Sequence, residues 1–295
     1  MRRTLLDALS EERKVPPVRK IGKMPKTPAD VKILGKPKLI FQVTLAEQLT
    51  TELAEFCPDY IYVPLEILVG NPLAVLPFAK NGAVPVAVLP RVITDDQSPE
   101  IMEKLKRACA MGIDEVLVGN MGHVRFARLA GLNVRGDFGL NVYNSDTLQV
   151  LNAAGFLSAT ASFELRLSQI RDMRKPINTE AIVYGRLPLM VSDQCIIKNS
   201  AGQCNCHNPV SLSDRTGQLF PVMKEFGCRN VIYNAHKLFM GDKQEELKNC
   251  GLWGVRLLFT NEGAEECVRI AESYAGQSDY VPNGFTRGLY YRGVE

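Results

Sequence analysis

The sequence predicts an α/β fold: a (β/α)8 TIM-like barrel with a long cysteine-rich insertion between its last two βα units. Three observations carry that expectation. From Lys38 onward, short β-branched or aromatic runs alternate with longer amphipathic segments. The alternation repeats at roughly 20 to 25 residues, the spacing of βα units on a parallel sheet. One connection, between the seventh and eighth runs, is far longer than the others, and connections of that length are usually functional. A doubly wound sheet is the alternative topology. At 295 residues with 46% hydrophobic content, the chain buries a large core on either topology.

Taken in order, the strands are read as Lys38–Val43, Tyr60–Leu65, Pro85–Pro90, Glu115–Asn120, Asn133–Phe138, Ala159–Glu164, Ala181–Arg186 and Gly254–Phe259. The segment Leu45–Phe56 carries Leu45, Leu49, Leu53 and Phe56 on one helical face, and the segment opening at Ser98 places Pro99 where a first helical turn accepts it. SDTLQVLNAAGF is expected to be capped by Ser145 or Asp146 and to stop at Gly155; NEGAEECVRIAESYAG runs from an Asn261 cap to Gly276. Cys57, Cys109, Cys250 and Cys267 fall in or beside these helical segments and read as buried core residues.

Between Tyr184 and Tyr233 the pattern changes to loop, turn and short hairpin, rich in Gly, Asn, Asp, Ser and Pro. LFPVMKE and CRNVIYNA are expected to pair around Phe226 and Gly227, and GDKQEELKNCG to return as a helix. This stretch holds four of the eight cysteines, Cys195, Cys204, Cys206 and Cys228, spaced Cys-x8-Cys-x-Cys-x21-Cys. No signal peptide and no apolar run long enough to span a membrane is present, so the chain is expected to be soluble and cytoplasmic. In a reducing compartment clustered cysteines are ligands or reactive thiols rather than disulfides. Four thiolates in one loop-rich insertion suit a tetrahedral sulfur site, occupied by zinc or an iron-sulfur cluster. His207 is an alternative fourth ligand. The spacing lacks the CxxC knuckles of zinc ribbons, and HExxH, GxSxG, GxGxxG and P-loop signatures are absent.

A barrel brings the carboxyl ends of its strands to one mouth, where Glu66, Arg91, Asn120, Asp137, Glu164, Arg186 and Thr260 with Asn261 would converge. Of the acids, Glu164, Asp137 and Asp193 are the candidate acid or base groups. Arg186 and Arg215 suit the bidentate grip of a carboxylate or phosphate, with Asn141 and Asn144 to orient substrate; Arg215 equally suits a structural pairing with Asp214 or Asp193. Residues 1–36 hold ten Lys or Arg against four acids, a local charge of +6 that leaves −3 for the rest of a chain whose total is +3. Such a leader is either an RNA-touching or acidic-surface-touching segment or a solvated, proline-bearing linker. The organisation read from these features is a leader over 1–37, a barrel over 38–278 including the insertion at 190–240, and a carboxy-terminal tail over 279–295.

The segments IYVPLE, LPR, VGNMG, GDFGLNVYN, SFELRLSQI, YGRLPLM, LSDRTGQLFPV, CRNVIYNA and GFTRGLYYRGVE, covering nearly everything after Lys38, resemble collagenase-like peptidase family U32, of unknown catalytic type. The likeness is to the carboxy-terminal barrel of that family's long, two-barrel bacterial members. The resemblance implies a [4Fe-4S] cluster held by Cys195, Cys204, Cys206 and Cys228, and a part in oxygen-independent hydroxylation of an RNA base (ribosomal or transfer RNA) or an aromatic substrate. In some relatives prephenate is the hydroxyl source and a sister barrel the partner. The alternatives are a collagenase-like peptidase and a non-catalytic, zinc- or cluster-stabilised module that binds RNA or a partner barrel.

Overall fold

Eight parallel strands close on themselves because each β-branched run finds its neighbour one helix later. A computed structural model describes residues 2–16, 18, 30, 35–203 and 210–294. Its strands are β1 (Lys38–Gln42), β2 (Tyr60–Pro64), β3 (Val84–Val88), β4 (Glu115–Val118), β5 (Asn133–Gly136), β6 (Ser158–Thr160), β7 (Asn178–Gly185), β8 (Pro188–Ser192), β9 (Val210–Ser213), β10 (Leu219–Glu225), β11 (Arg229–Tyr233), β12 (Leu238–Phe239) and β13 (Gly254–Leu258). β1 to β7 pair in parallel in sequence order, β13 pairs with both β7 and β1, and the ring is complete. All eight expected strands are found within a few residues of their predicted bounds.

Strands in such a ring are buried on both faces. Phe41, Ile61, Val63, Ala87, Val116 and Val118 point outward into the main core beneath the helices, while Ile40, Tyr62, Val86 and Leu117 form a separate cluster with Tyr60, Val88 and Trp253. These alternate along each strand, so the second cluster fills the lumen on the side of β1 to β4. On the other side the inward positions are polar: Arg135, Ser158, Thr160, Glu180 and Arg256 are all buried.

Four local expectations are corrected. The predicted helix Leu45–Phe56 divides into a 3-10 turn, Ala46–Gln48, and a helix Thr51–Ala54, because Thr50 turns extended and its side chain accepts the Leu53 N–H. Cys57 consequently sits in the turn beyond, exposed and with φ of 48°, instead of in the core. The helix Ser145–Ala153 is capped by Asn144, not by Ser145 or Asp146, and the helix Ala264–Ala275 starts after Gly263, not at Asn261. Cys250 and Cys267 are buried as expected.

The long connection after β7 folds into a four-stranded antiparallel sheet in the order β8, β11, β10, β9. The β10–β11 hairpin lies where predicted. β8 and β9 flank it where the sequence reads as loop. Arg229 fastens this sheet to the barrel: its buried guanidinium donates to the Val92 carbonyl at 2.8 Å and to Asp193 at 3.0 Å. The segment after Ser278 packs on the barrel flank, where buried Tyr290 donates to the Ile182 carbonyl and accepts the Leu167 N–H on its own carbonyl. The leader contributes an exposed helix, Arg2–Lys14; most of residues 17–34 lie outside the described residues. Among the described residues no helix is long and apolar enough to cross a membrane.

Candidate functional site

The insertion sheet roofs the carboxyl end of the barrel and encloses a cavity of about 110 Å³, a size that accepts a single aromatic ring. Its floor comes from strand ends, including Gln42, Thr44, Asp137 and Leu258, and its wall from Arg91 and Phe138. The period-two alternation of β10 and β11 aims Met223, Glu225, Val231 and Tyr233 down into it.

Beneath the floor runs a ladder of charges. Glu115 pairs with Arg135 at 2.5 Å, Arg135 lies 3.8 Å from Glu180, Glu180 pairs with Arg256 at 2.7 Å, and Arg256 pairs with Asp137 at 2.6 Å. Tyr62 and Ser158 hydroxyls donate to the same Glu180 oxygen, at 2.9 and 2.5 Å, and the Gln42 amide oxygen accepts from Arg256 at 3.0 Å. Burial alone would lower the pKa of Arg256, but Asp137 and Glu180 outweigh it and hold the guanidinium above its ordinary value. Burial pushes the Tyr62 phenol up, and the Glu180 charge pushes it further. Asp137 thus reaches the cavity as a fixed carboxylate, one oxygen of which also accepts the Phe138 N–H at 2.8 Å.

Of the residues singled out from sequence, the cavity gathers Asp137 and Arg91. Glu164 lies apart, accepting a hydrogen bond from Tyr143. Asp193 is exposed and paired with Arg229. Arg186 donates to Asn261 and to the Asn234 and Ala235 carbonyls, closing the neck of the insertion. Asn144 caps a helix, Asn120 caps the turn at Gly122, and Asn141 is an exposed left-handed residue. Arg215 is exposed in the β9–β10 turn, where Asp214 accepts from Thr216 and Gln218. Glu66 lies 3.8 Å from Lys104, and Thr260 is buried against Glu262. Glu180, Arg256, Glu225 and Tyr233 were not singled out from the sequence. The available signal is a charge in mid-strand, in NTEAIVYG and GVRLLF, where both faces must be buried.

Cys195 is buried at the start of the helix Ile196–Ala201, and its Sγ accepts the Lys198 N–H at 3.4 Å. Cys228 is exposed in the turn between β10 and β11. The Ile196 N–H donates to Asn230 Oδ1 at 2.7 Å and Asp193 pairs with Arg229 at 3.0 Å, so the segment that carries Cys195 lies against the start of β11, the strand that Cys228 precedes. β9 begins at Val210 opposite Val222 and runs away from that turn, so the chain enters β9 from the same end of the sheet. Cys204, Cys206 and His207 lie outside the described residues. Among the described residues no three His, Cys, Asp or Glu side chains gather around a metal position. The two described thiols nevertheless fit a shared thiolate centre in their chemistry: both stand on segments at the start of β11, and Cys195 sulfur already accepts a backbone N–H, as ligating thiolates do.

A profile of peptidase family U32 matches residues 78–276. No curated protein matches the chain. Similar solved structures include a thiamine phosphate pyrophosphorylase from Pyrococcus furiosus, at 11% identity over 81% of this chain and 94% of that one with a TM-score of 0.46. The U32 peptidase Mk0906 is similar at 13% identity over 81% and 99%, with a TM-score of 0.42. The fold itself rests on the strand pairing above.

Proposed function

The chain belongs to peptidase family U32, and from that premise we propose that it is an iron-sulfur protein acting in oxygen-independent hydroxylation of an RNA base or a small aromatic substrate. The observation that supports this reading is that the segments carrying Cys195 and Cys228 both adjoin the start of β11 in the roof over a ring-sized cavity. These two thiolates, with Cys204 and Cys206, would hold a [4Fe-4S] cluster, which supplies single-electron chemistry when bound. The chain's own residues do the rest. Asp137, fixed by Arg256, offers a carboxylate oxygen to the cavity, and Gln42 and Thr44 add polar contacts at the floor. The roof keeps bulk water from what is bound. Prephenate as co-substrate, and a sister barrel as partner, belong to this proposal.

Anaerobic purification with iron, sulfide and zinc analysis tests it. The expected result is about four iron and four sulfide per chain, with visible absorption that Cys195→Ser and Cys228→Ser each abolish. Stoichiometric zinc instead marks a structural thiolate site, and gelatin cleavage that stops on thiol blocking marks a peptidase; either result overturns the proposal.

A further inference from the structure

Two polar groups of the mouth cavity are left unanswered by the barrel. The Arg91 backbone N–H donates to Glu225 Oε1 at 3.2 Å, but among the described residues the Arg91 guanidinium has neither ion pair nor hydrogen bond; it lies over the Phe138 ring, 5.2 Å from its centre. Glu225 Oε2 is buried without a hydrogen-bond partner. Both line the cavity. A buried carboxyl oxygen without a partner costs stability unless something completes it, and the half-buried Arg91 guanidinium faces the same cavity.

We propose that Glu225 and Arg91 together hold the ligand of this cavity, the guanidinium taking an oxyanion and the Glu225 carboxyl donating its proton into a hydrogen bond to the same group. The ligand class is a small organic acid of one ring: Phe138, Leu258, Met223 and Val231 supply apolar walls that suit a ring, and Arg91 supplies the cation for its acid group. Geometry makes the Glu225 carboxyl a donor. A carboxylate at this position would face the bound oxyanion as a like charge, whereas the acid form gives the buried oxygen a hydrogen to share. Burial pushes the Glu225 pKa up; the Arg91 N–H bond and the charges of Arg229 and Arg91 pull it down, and Glu66 adds to the rise. Asp137 and Lys224 line the same cavity, Tyr233 faces it from β11, and Lys104 lies 4.9 Å over the neighbouring Phe226 ring. A bound anion tips this balance further toward the acid form. The inference deepens the hydroxylation reading by naming the groups that hold its substrate, and it does not depend on the thiolate centre.

Benzoate, carrying one ring and one carboxylate, is the probe, titrated calorimetrically into the full chain between about pH 5 and pH 8. Affinity is expected to be full while Glu225 is protonated and to fall as the pH rises through its ionisation. Glu225→Gln, whose amide N–H replaces the O–H donor, should bind within about threefold of wild type at the acid end and lose the pH slope; Glu225→Ala and Arg91→Gln should each weaken binding about tenfold or more, the loss of one hydrogen bond to a charged group. Thermal unfolding of each variant reports whether it folds. Absence of benzoate binding, a pH slope that survives Glu225→Gln, or displacement by inorganic phosphate overturns the proposal. Benzoate binding without iron sinks only the cluster, and iron without benzoate binding sinks only this site.

Discussion

Replacing Arg256 by methionine tests whether the lumen ladder is a single electrostatic unit. Arg256 is fully buried and donates to Gln42, Asp137, Thr160 and Glu180. Within the ladder two guanidiniums face three carboxylates, Glu115, Glu180 and Asp137. Methionine fills much of the volume but leaves Asp137 and Glu180 as buried anions, with Arg135 still 3.8 Å from Glu180. Breaking a buried pair by removing one partner costs about 3–5 kcal/mol. For a chain of this size that is a fall of roughly 5–15 °C in Tm. Adding Glu180→Gln removes one of the stranded charges and should recover at least about 1 kcal/mol, a non-additive effect. Urea and thermal unfolding at neutral pH measure all three proteins. A single variant within about 1 kcal/mol of wild type at neutral pH, or a double variant that recovers nothing, would falsify the account of the ladder.

Two further substitutions probe the backbone. A Cβ on Gly185, whose φ is 123°, would lie 2.0 Å from the Leu258 carbonyl oxygen. Gly185→Ala should therefore lower stability by at least about 2 kcal/mol, read from the denaturant midpoint, and a wild-type midpoint would contradict the close approach of β7 and β13. Asn144→Ala should cost about 1 kcal/mol through loss of the helix cap; unchanged stability with weakened benzoate binding would return Asn144 to the site.

The barrel was legible because its strands announce themselves twice, by β-branched composition and by spacing, and neither signal needs a partner to be known. The hairpin at Phe226 and Gly227 was legible for the same local reason. β8 and β9 were not: PLMVS and VSLS are short and polar-flanked, and they become strands only by pairing with a hairpin that lies after both in sequence. The site was half legible. Asp137 and Arg91 stand at strand ends, where barrel logic looks for them. Arg256 and Glu180 stand in mid-strand, and their meaning depends on partners 76 to 119 residues apart. Polar residues such as Asn144, Asn120 and Arg186 carry the same letters whether they bind substrate or satisfy a helix end, and only the identity of the donor they meet separates the two.

The short pairing of β12 with the end of β7 has a consequence for how the molecule divides. Leu238 lies opposite Gly185 and Phe239 opposite Tyr184, while Arg186 reaches across to the Asn234 and Ala235 carbonyls. The chain therefore leaves the ring and rejoins it at adjacent points, and β7 and β13 pair directly without help from anything between. Residues 186–237 form a closed excursion, a cap that could be shortened to a brief linker without changing the register of any barrel strand. The ring and its cover can vary independently, and the chemistry at the mouth depends on which cover the ring is given.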